Sequence, residues 1–188
     1  MDIKNLEKRL ELLESKEDIR TLVSEYAEAC DQQDIKYLEQ LFTEEAEFYS
    51  LNGMLNSAGR QNILDMYTEV FQTRGPSFHW THDVRVNIDS KDTSKAIGTV
   101  YSHAETTRDG IASLAAMRYD DEYSNEEGRW KFSKRTINFF YYVRTSEYID
   151  DLTETLRVNG ADGKVTADIP ESIPAWIEFQ EKFKSEKK

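Results

Sequence analysis

The sequence has few residues that could cross-link the chain or bind a metal ion. It contains one cysteine, Cys30, and three histidines among 188 residues. A single thiol excludes a disulfide within one chain and a zinc site built from thiolates. No H-E-x-x-H pattern occurs, and the two histidines of His79-x-x-His82 point to opposite faces of a regular strand. We therefore expect no metal and no metal-dependent chemistry.

Positive charge and long apolar runs are also scarce. The chain carries 24 Lys and Arg against 36 Asp and Glu, a net charge of −12. Nucleic acids and anionic membranes attract basic side chains, so neither is an expected partner. No run of 18 apolar residues occurs, and the charged start lacks the apolar stretch of a signal peptide. The expectation is a cytoplasmic protein.

Glycine-rich phosphate-binding motifs and a G-x-S-x-G nucleophile motif are missing as well. Without G-x-G-x-x-G or G-x-x-x-x-G-K-[ST], nucleotide binding is not expected. Without the serine motif, hydrolysis by a Ser–His–Asp triad is not expected either. The predicted cofactor set is therefore empty, and the predicted partner is a small-molecule substrate.

Helical periodicity dominates the first part of the chain. A short first helix is predicted by apolar residues at helical spacing: Ile3, Leu6, Leu10 and Leu13. The pattern of Ser15 followed by Asp18 resembles a capping box and predicts that a second helix begins there. Asp31 ends the apolar face of this second helix, and Asp34 is predicted to cap a third one.

Strand patterns dominate the middle of the chain. A strand over 46–51 precedes the turn signal Asn52-Gly53, and a helix follows Gly59. Four long strands are then predicted over 78–89, 96–107, 111–123 and 129–143. Helices followed by antiparallel strands are typical of an α+β fold. We expect a cone-shaped α+β barrel in which a curved antiparallel sheet wraps around the N-terminal helices, within a domain of residues 1–143.

Residues 144–188 differ from the rest in composition. They contain Pro170 and Pro174, two of the three prolines, and the apolar group Trp176, Ile177, Phe179 and Phe183. We predict a C-terminal extension that packs on the domain or on a neighbouring subunit.

Some predicted strands carry two apolar residues in succession, such as Leu114-Ala115 and Phe139-Phe140, whose side chains point to opposite faces. One buried face cannot cover both residues of such a pair. We therefore predict a homo-oligomer, a trimer or a dimer, that associates through the outer face of the sheet.

Proton-transfer chemistry is indicated by the histidines of the segment SFHWTHD. Histidine titrates near neutral pH, and a general base needs a carboxylate to orient its ring. Asp31 is the candidate partner, and the Tyr26 hydroxyl on the same helix could polarise a carbonyl or protonate a leaving oxygen. If the strand alternates regularly, His82 shares the core face with Val84, and His79 lies on the other face. A packed structural histidine is the alternative interpretation for either residue.

Three segments together resemble a known family: IRTLVSEYAEACD at 19–31, the FHWTHD run, and GRWKFSKR near the end of the domain. They are similar to the SnoaL-like, scytalone-dehydratase-like branch of the nuclear-transport-factor-2-like superfamily. The resemblance covers about residues 5–145 and implies the cone fold.

The resemblance also implies a site. Asp31, His79 and Arg135 match the aspartate, histidine and arginine of hexachlorocyclohexane dehydrochlorinase. Tyr26 matches a tyrosine of bile-acid 7α-dehydratase. The resemblance favours His79 as the base, with His82 as second choice, and a bulge between them would reconcile this with the alternation. Further substrate-binding residues predicted for the same pocket are His82, Tyr49, His103, Met117 and Tyr119.

The implied function is that of a cofactor-independent lyase. His79, oriented by Asp31, would eliminate water from a small cyclic or aromatic, largely apolar oxygenated substrate, helped by Tyr26 or Arg135. The alternatives are a ketosteroid-isomerase-like isomerase, a non-enzymatic ligand-binding module of the same fold, and a subunit of a larger enzyme.

Overall fold

The computed structural model describes residues 2–160 and 162–183. Helices and a sheet are intermixed, and the elements follow in the order α1 Ile3–Gln32, α2 Ile35–Leu41, β1 Phe42–Ser50, β2 Asn56–Ala58, α3 Arg60–Thr73, β3 Arg74–Ile88, β4 Lys95–Arg108, β5 Ile111–Glu126, β6 Arg129–Arg144, α4 Tyr148–Asp151, β7 Val158–Gly160, β8 Gly163–Val165 and α5 Pro174–Phe183. The predicted helix after Gly59 and the four long strands are all present.

Helix α1 is one continuous helix of 30 residues. The predicted break at Ser15 is wrong, because this stretch contains neither glycine nor proline and consists largely of good helix formers. The helix ends at Gln33, whose left-handed backbone lets its N–H bond to Ala29 and Cys30 carbonyls. Asp34 caps α2 as predicted, since its carboxylate accepts the Tyr37 N–H at 2.9 Å.

The sheet has the strand order β2-β1-β6-β5-β4-β3. The central pairs β3–β4, β4–β5 and β5–β6 are antiparallel, as predicted. However, β1 lies parallel to β6, so the sheet is mixed. The helices bury their apolar faces against one side of the curved sheet, where Ile19, Phe42 and Phe132 are wholly excluded from water. The fold class is therefore confirmed as an α+β cone, open rather than closed into a barrel.

A bulge in β3 determines which residues of this strand face the core. Pairing with β4 is regular from Ser77 to His82 and shifts register between His82 and Arg85. Asp83 lies inside this shift and has a positive φ of 52°. Because the bulge reverses the alternation, His79 shares the inner face with Val86 on the far side of the bulge. Simple alternation across the whole strand was the wrong guide.

The C-terminal extension packs on β6 of its own domain. Val158 pairs with Tyr142, and the Phe139 N–H donates to the Asp168 carboxylate at 2.8 Å. Arg157 donates to the Phe140 carbonyl at 2.7 Å and to both carboxylate oxygens of Glu171. Backbone pairing thus holds the chain beyond β6 along the edge of this strand that does not pair with β5.

Candidate active site

A cavity of about 710 Å³ lies between the helices and the inner face of the sheet. This volume is within the range of ordinary ligand sites. Its wall is mostly apolar and aromatic, and it includes Phe48, Ile137 and Phe139. The β7–β8 hairpin contributes Asn159 and Lys164, so the extension forms part of the same wall. The wall also includes other acidic and basic side chains, so the interior can accommodate an apolar ring system that carries polar groups.

Asp31 and His79 form a hydrogen-bonded pair at this cavity. Asp31 lies in the last turn of α1, and its Oδ1 is 2.6 Å from His79 Nδ1. Its Oδ2 accepts the backbone N–H of His79 at 2.9 Å, and the Ser77 hydroxyl donates to Oδ1 at 3.4 Å. The side chain of Asp31 is 25% exposed and that of His79 is 11% exposed. The predicted pairing of Asp31 with His79 is therefore present in the structure.

The pair also determines the tautomer of the imidazole. An ionised carboxylate only accepts hydrogen bonds, so the proton of neutral His79 resides on Nδ1. Nε2 then carries the lone pair, and it has no hydrogen-bond partner among the described residues. His79 lines the cavity, so this nitrogen is placed to act as a base there.

Two helices, α1 and α3, each contribute a tyrosine hydroxyl to the cavity. Tyr26 of α1 and Tyr67 of α3 share a hydrogen bond between their hydroxyl groups, and both line the cavity. Burial is the main cause that raises the pKa of each phenol well above its ordinary value, so both remain protonated donors at neutral pH. Burial likewise raises the pKa of the neighbouring Cys30 thiol to about 12. Cys30 is therefore a neutral thiol.

Tyr67 was not among the predicted site residues; it lies on the apolar face of the helix that follows Gly59. The available signal was a tyrosine among aliphatic residues of that face, since a buried hydroxyl requires a partner. The partner, Tyr26, is 41 residues away in the chain. Only the tertiary fold identifies the two as a pair.

Arg135 lies beneath the cavity rather than in its wall. Its guanidinium forms a buried ion pair with Asp121, with Nε and Nη2 at 2.9 and 2.8 Å from the two carboxylate oxygens. It is 4.1 Å from the ring centroids of Tyr26, Tyr119 and Phe132. Burial is the largest single effect and lowers its pKa, but the charge and hydrogen bonds of Asp121, together with Tyr26 and Tyr119, outweigh it and leave the pKa raised. Its Nη1 has no hydrogen-bond partner among the described residues.

Of the other predicted pocket residues, Met117 and Tyr119 line the cavity. Tyr49 does not, because it alternates with the inward-facing Phe48 and instead packs its ring near Lys134 Nζ, at 5.4 Å. His82 and His103 lie on the outer face of the sheet, with stacked rings in a separate cavity. Neither lines the cone cavity as predicted, because His82 is three positions after His79 with no bulge between them and so points to the opposite face. His82 does line a third cavity together with His79 and Asp31.

The part of the chain that the structure describes contains no group of three or more His, Cys, Asp or Glu side chains positioned to hold a metal ion. None of the described helices combines the length and apolarity that a membrane crossing requires.

The α+β cone described above is the fold of SnoaL-like proteins. The sequence profile of the SnoaL-like domain matches residues 11–136, and the chain belongs to this family. The match ends before the C-terminal extension, which the family profile does not cover.

Individual relatives agree with this assignment. The gamma-hexachlorocyclohexane dehydrochlorinase of Sphingobium indicum is 28% identical over 138 residues, covering 71% of this chain and 86% of that protein. The crystal structure of LinA superposes with a TM-score of 0.67 at 23% identity, over 73% of this chain and 94% of LinA. A candidate scytalone dehydratase from Novosphingobium aromaticivorans has a TM-score of 0.63 at 19% identity, covering 70% and 87% of the two chains. The two structural neighbours share the fold.

Proposed function

We propose that this protein is a cofactor-independent lyase in which His79 removes a proton from a carbon atom of the substrate. The observation that carries the proposal is the 2.6 Å contact between His79 Nδ1 and Asp31, with His79 at the cavity wall. The related dehydrochlorinase is named for an elimination reaction, which supports the same reaction class here.

In the proposed reaction, His79 Nε2 takes a proton from a carbon next to an electron-withdrawing group. The electrons of the C–H bond form the new double bond, and a hydroxyl group departs from the neighbouring carbon. The Tyr26–Tyr67 pair donates a proton to the departing oxygen, so that water leaves. Asp31 stabilises the imidazolium, whose proton then passes to solvent while the tyrosine pair is reprotonated. A positioned base typically contributes about 10²–10⁴-fold in rate.

The cavity wall indicates the kind of substrate. Aromatic and aliphatic side chains such as Phe48, Ile137 and Phe139 favour an apolar ring, while His79 and the tyrosine pair provide contacts to one or two oxygens. We therefore propose a small cyclic or aromatic oxygenated substrate.

The test is a set of variants assayed against cyclic hydroxy-ketones, with the conjugated product followed by its absorbance. His79→Ala and Asp31→Asn should each lower kcat by at least about 10²-fold. The double variant should be little worse than the worse single variant, because the two residues act as a unit. His82→Ala is the matched histidine control and should cost much less activity, since His82 does not line the cone cavity, although it lines a third cavity with Asp31 and His79.

A second pair of variants tests the acid. Tyr67→Phe removes one hydroxyl of the pair without changing the ring, and we expect a loss of kcat of about 10²-fold, as for an oriented donor. Folded His79→Ala protein with full activity would remove the base from the mechanism. Wild-type protein that binds these compounds but does not turn them over would instead be a binding module.

A further inference from the structure

A second cavity, of about 590 Å³, lies on the outer face of the sheet. Its floor is formed by side chains of the central strands, including Tyr101 and Phe140, and its roof by Leu152, Pro170 and Trp176 of the extension. Only Met117 lines both this outer cavity and the cone cavity. The outer cavity is therefore a separate compartment that the C-terminal extension creates.

A chain of hydrogen bonds ends in the outer cavity. Asp83 Oδ2 lies 3.1 Å from His82 Nδ1, and His82 Nε2 lies 3.0 Å from His103 Nδ1. Because the Asp83 carboxylate only accepts, His82 Nδ1 carries its proton and Nε2 is an acceptor. His103 must then donate from Nδ1, which leaves its Nε2 as an acceptor with no partner among the described residues. With both imidazoles neutral, the chain thus presents one acceptor nitrogen of His103.

The other groups of this cavity define what surrounds that acceptor. The Tyr101 and Phe140 rings stack, with centroids 6.1 Å apart and planes 26° apart, and provide an aromatic surface. The charge of Arg157 is neutralised by two contacts with Glu171, at 2.7 and 2.9 Å, so an anion gains little there. A neutral planar ring that carries a hydrogen-bond donor complements these features.

We propose that the outer cavity is a binding site for a neutral aromatic compound that carries a hydroxyl group, with the hydroxyl donating to His103 Nε2 and the ring lying on the Tyr101–Phe140 surface. This site is independent of the proposed lyase reaction. It is formed by residues beyond the family-matched segment as well as by the sheet, so it is specific to chains that carry this extension.

The test uses 2-naphthol, with naphthalene as the matched probe that lacks the hydroxyl group. The chain has three histidines, so imidazole NMR signals separate the outer site from the cone. Saturable shifts of the His82 and His103 signals are expected with 2-naphthol, separate from any shift of His79. His103→Phe keeps an aromatic ring but removes the acceptor. It should weaken 2-naphthol binding at this site about fivefold, the typical effect of one hydrogen bond, and leave naphthalene binding unchanged.

A second variant guards against a folding defect in His103→Phe. Thr153→Trp changes an exposed residue of the extension at the cavity wall and should block both probes by filling the site. Shifts confined to His79, or an equal effect of His103→Phe on both probes, would overturn the proposal. It would also be overturned by His82 and His103 signals that change with protein dilution and ignore 2-naphthol, since a second copy of the chain would then cover this face.

Discussion

Replacement of Arg135 by methionine is predicted to destabilise the protein strongly. The guanidinium and the Asp121 carboxylate share two hydrogen bonds, and their side chains are only 1% and 0% exposed. Without Arg135, Asp121 keeps the Tyr123 hydroxyl, at 2.9 Å, as its remaining side-chain donor. Removing one partner of a buried ion pair costs about 3–5 kcal/mol. For a chain of this length the corresponding loss in Tm is about 6–20 °C.

The measurement is urea or thermal unfolding of Arg135→Met beside a matched control. Arg118 and Asp120 form a pair of similar length on β5, 2.7 Å, but their side chains are 23% and 44% exposed. Arg118→Met should therefore cost only about 0–1 kcal/mol. Combining Arg135→Met with Asp121→Leu should recover much of the stability, since no charge is then left buried. An Arg135→Met protein within about 1 kcal/mol of the wild type would refute the argument.

Two further predictions concern alkaline pH and assembly. Burial raises the pKa of Tyr26 and Tyr67 well above the ordinary value of 10.0. The folded state therefore has its full stability below the pKa that these phenols have in the unfolded chain, and it loses stability as the pH rises above that value. Spectrophotometric titration should show these phenols ionising only as the protein unfolds, and reversible early titration of all ten tyrosines would contradict this. Phe78 and Trp80 are 52% and 60% exposed on the outer face of β3, and we expect a dimer or trimer that Trp80→Ser weakens. Light scattering at micromolar concentration measures this, and a monomeric wild type would rule it out.

The sequence predicted those features whose cause is local. Asp34 caps its helix through the neighbouring Tyr37 N–H, and each long strand is bounded by its own turn residues. The false helix boundary at Ser15 has a local cause too, because a capping pattern also occurs within helices when nothing interrupts them. Local signals identify elements well, but they over-predict ends.

Features that depend on distant partners were not predictable in this way. The parallel pairing of β1 with β6 joins segments about 90 residues apart in the chain, as in Phe48↔Arg135. The face on which His79 lies depends on a bulge at Asp83, which alternation cannot locate. The resemblance to a family identified His79 where periodicity indicated His82.

The adjacent aromatic residues of β6 illustrate the same limit. Phe139 faces the cone cavity and Phe140 the outer one, and a register shift in the β5–β6 pairing accompanies this change. The sequence indicated that one face cannot bury both residues. It did not indicate that the extension of the same chain covers part of the second face.

The C-terminal extension contributes to both sides of the sheet at once. Its β7–β8 hairpin lines the cone cavity, and Leu152, Pro170 and Trp176 lie over the outer one. Meanwhile the segment that carries Asp31 and His79 belongs to the part shared with the family. Under the proposed function, changes in the extension would therefore alter the walls of the cone cavity and leave Asp31 and His79 untouched. Exchanging the extension for that of another family member is accordingly a direct way to measure how far this segment alone determines ligand preference.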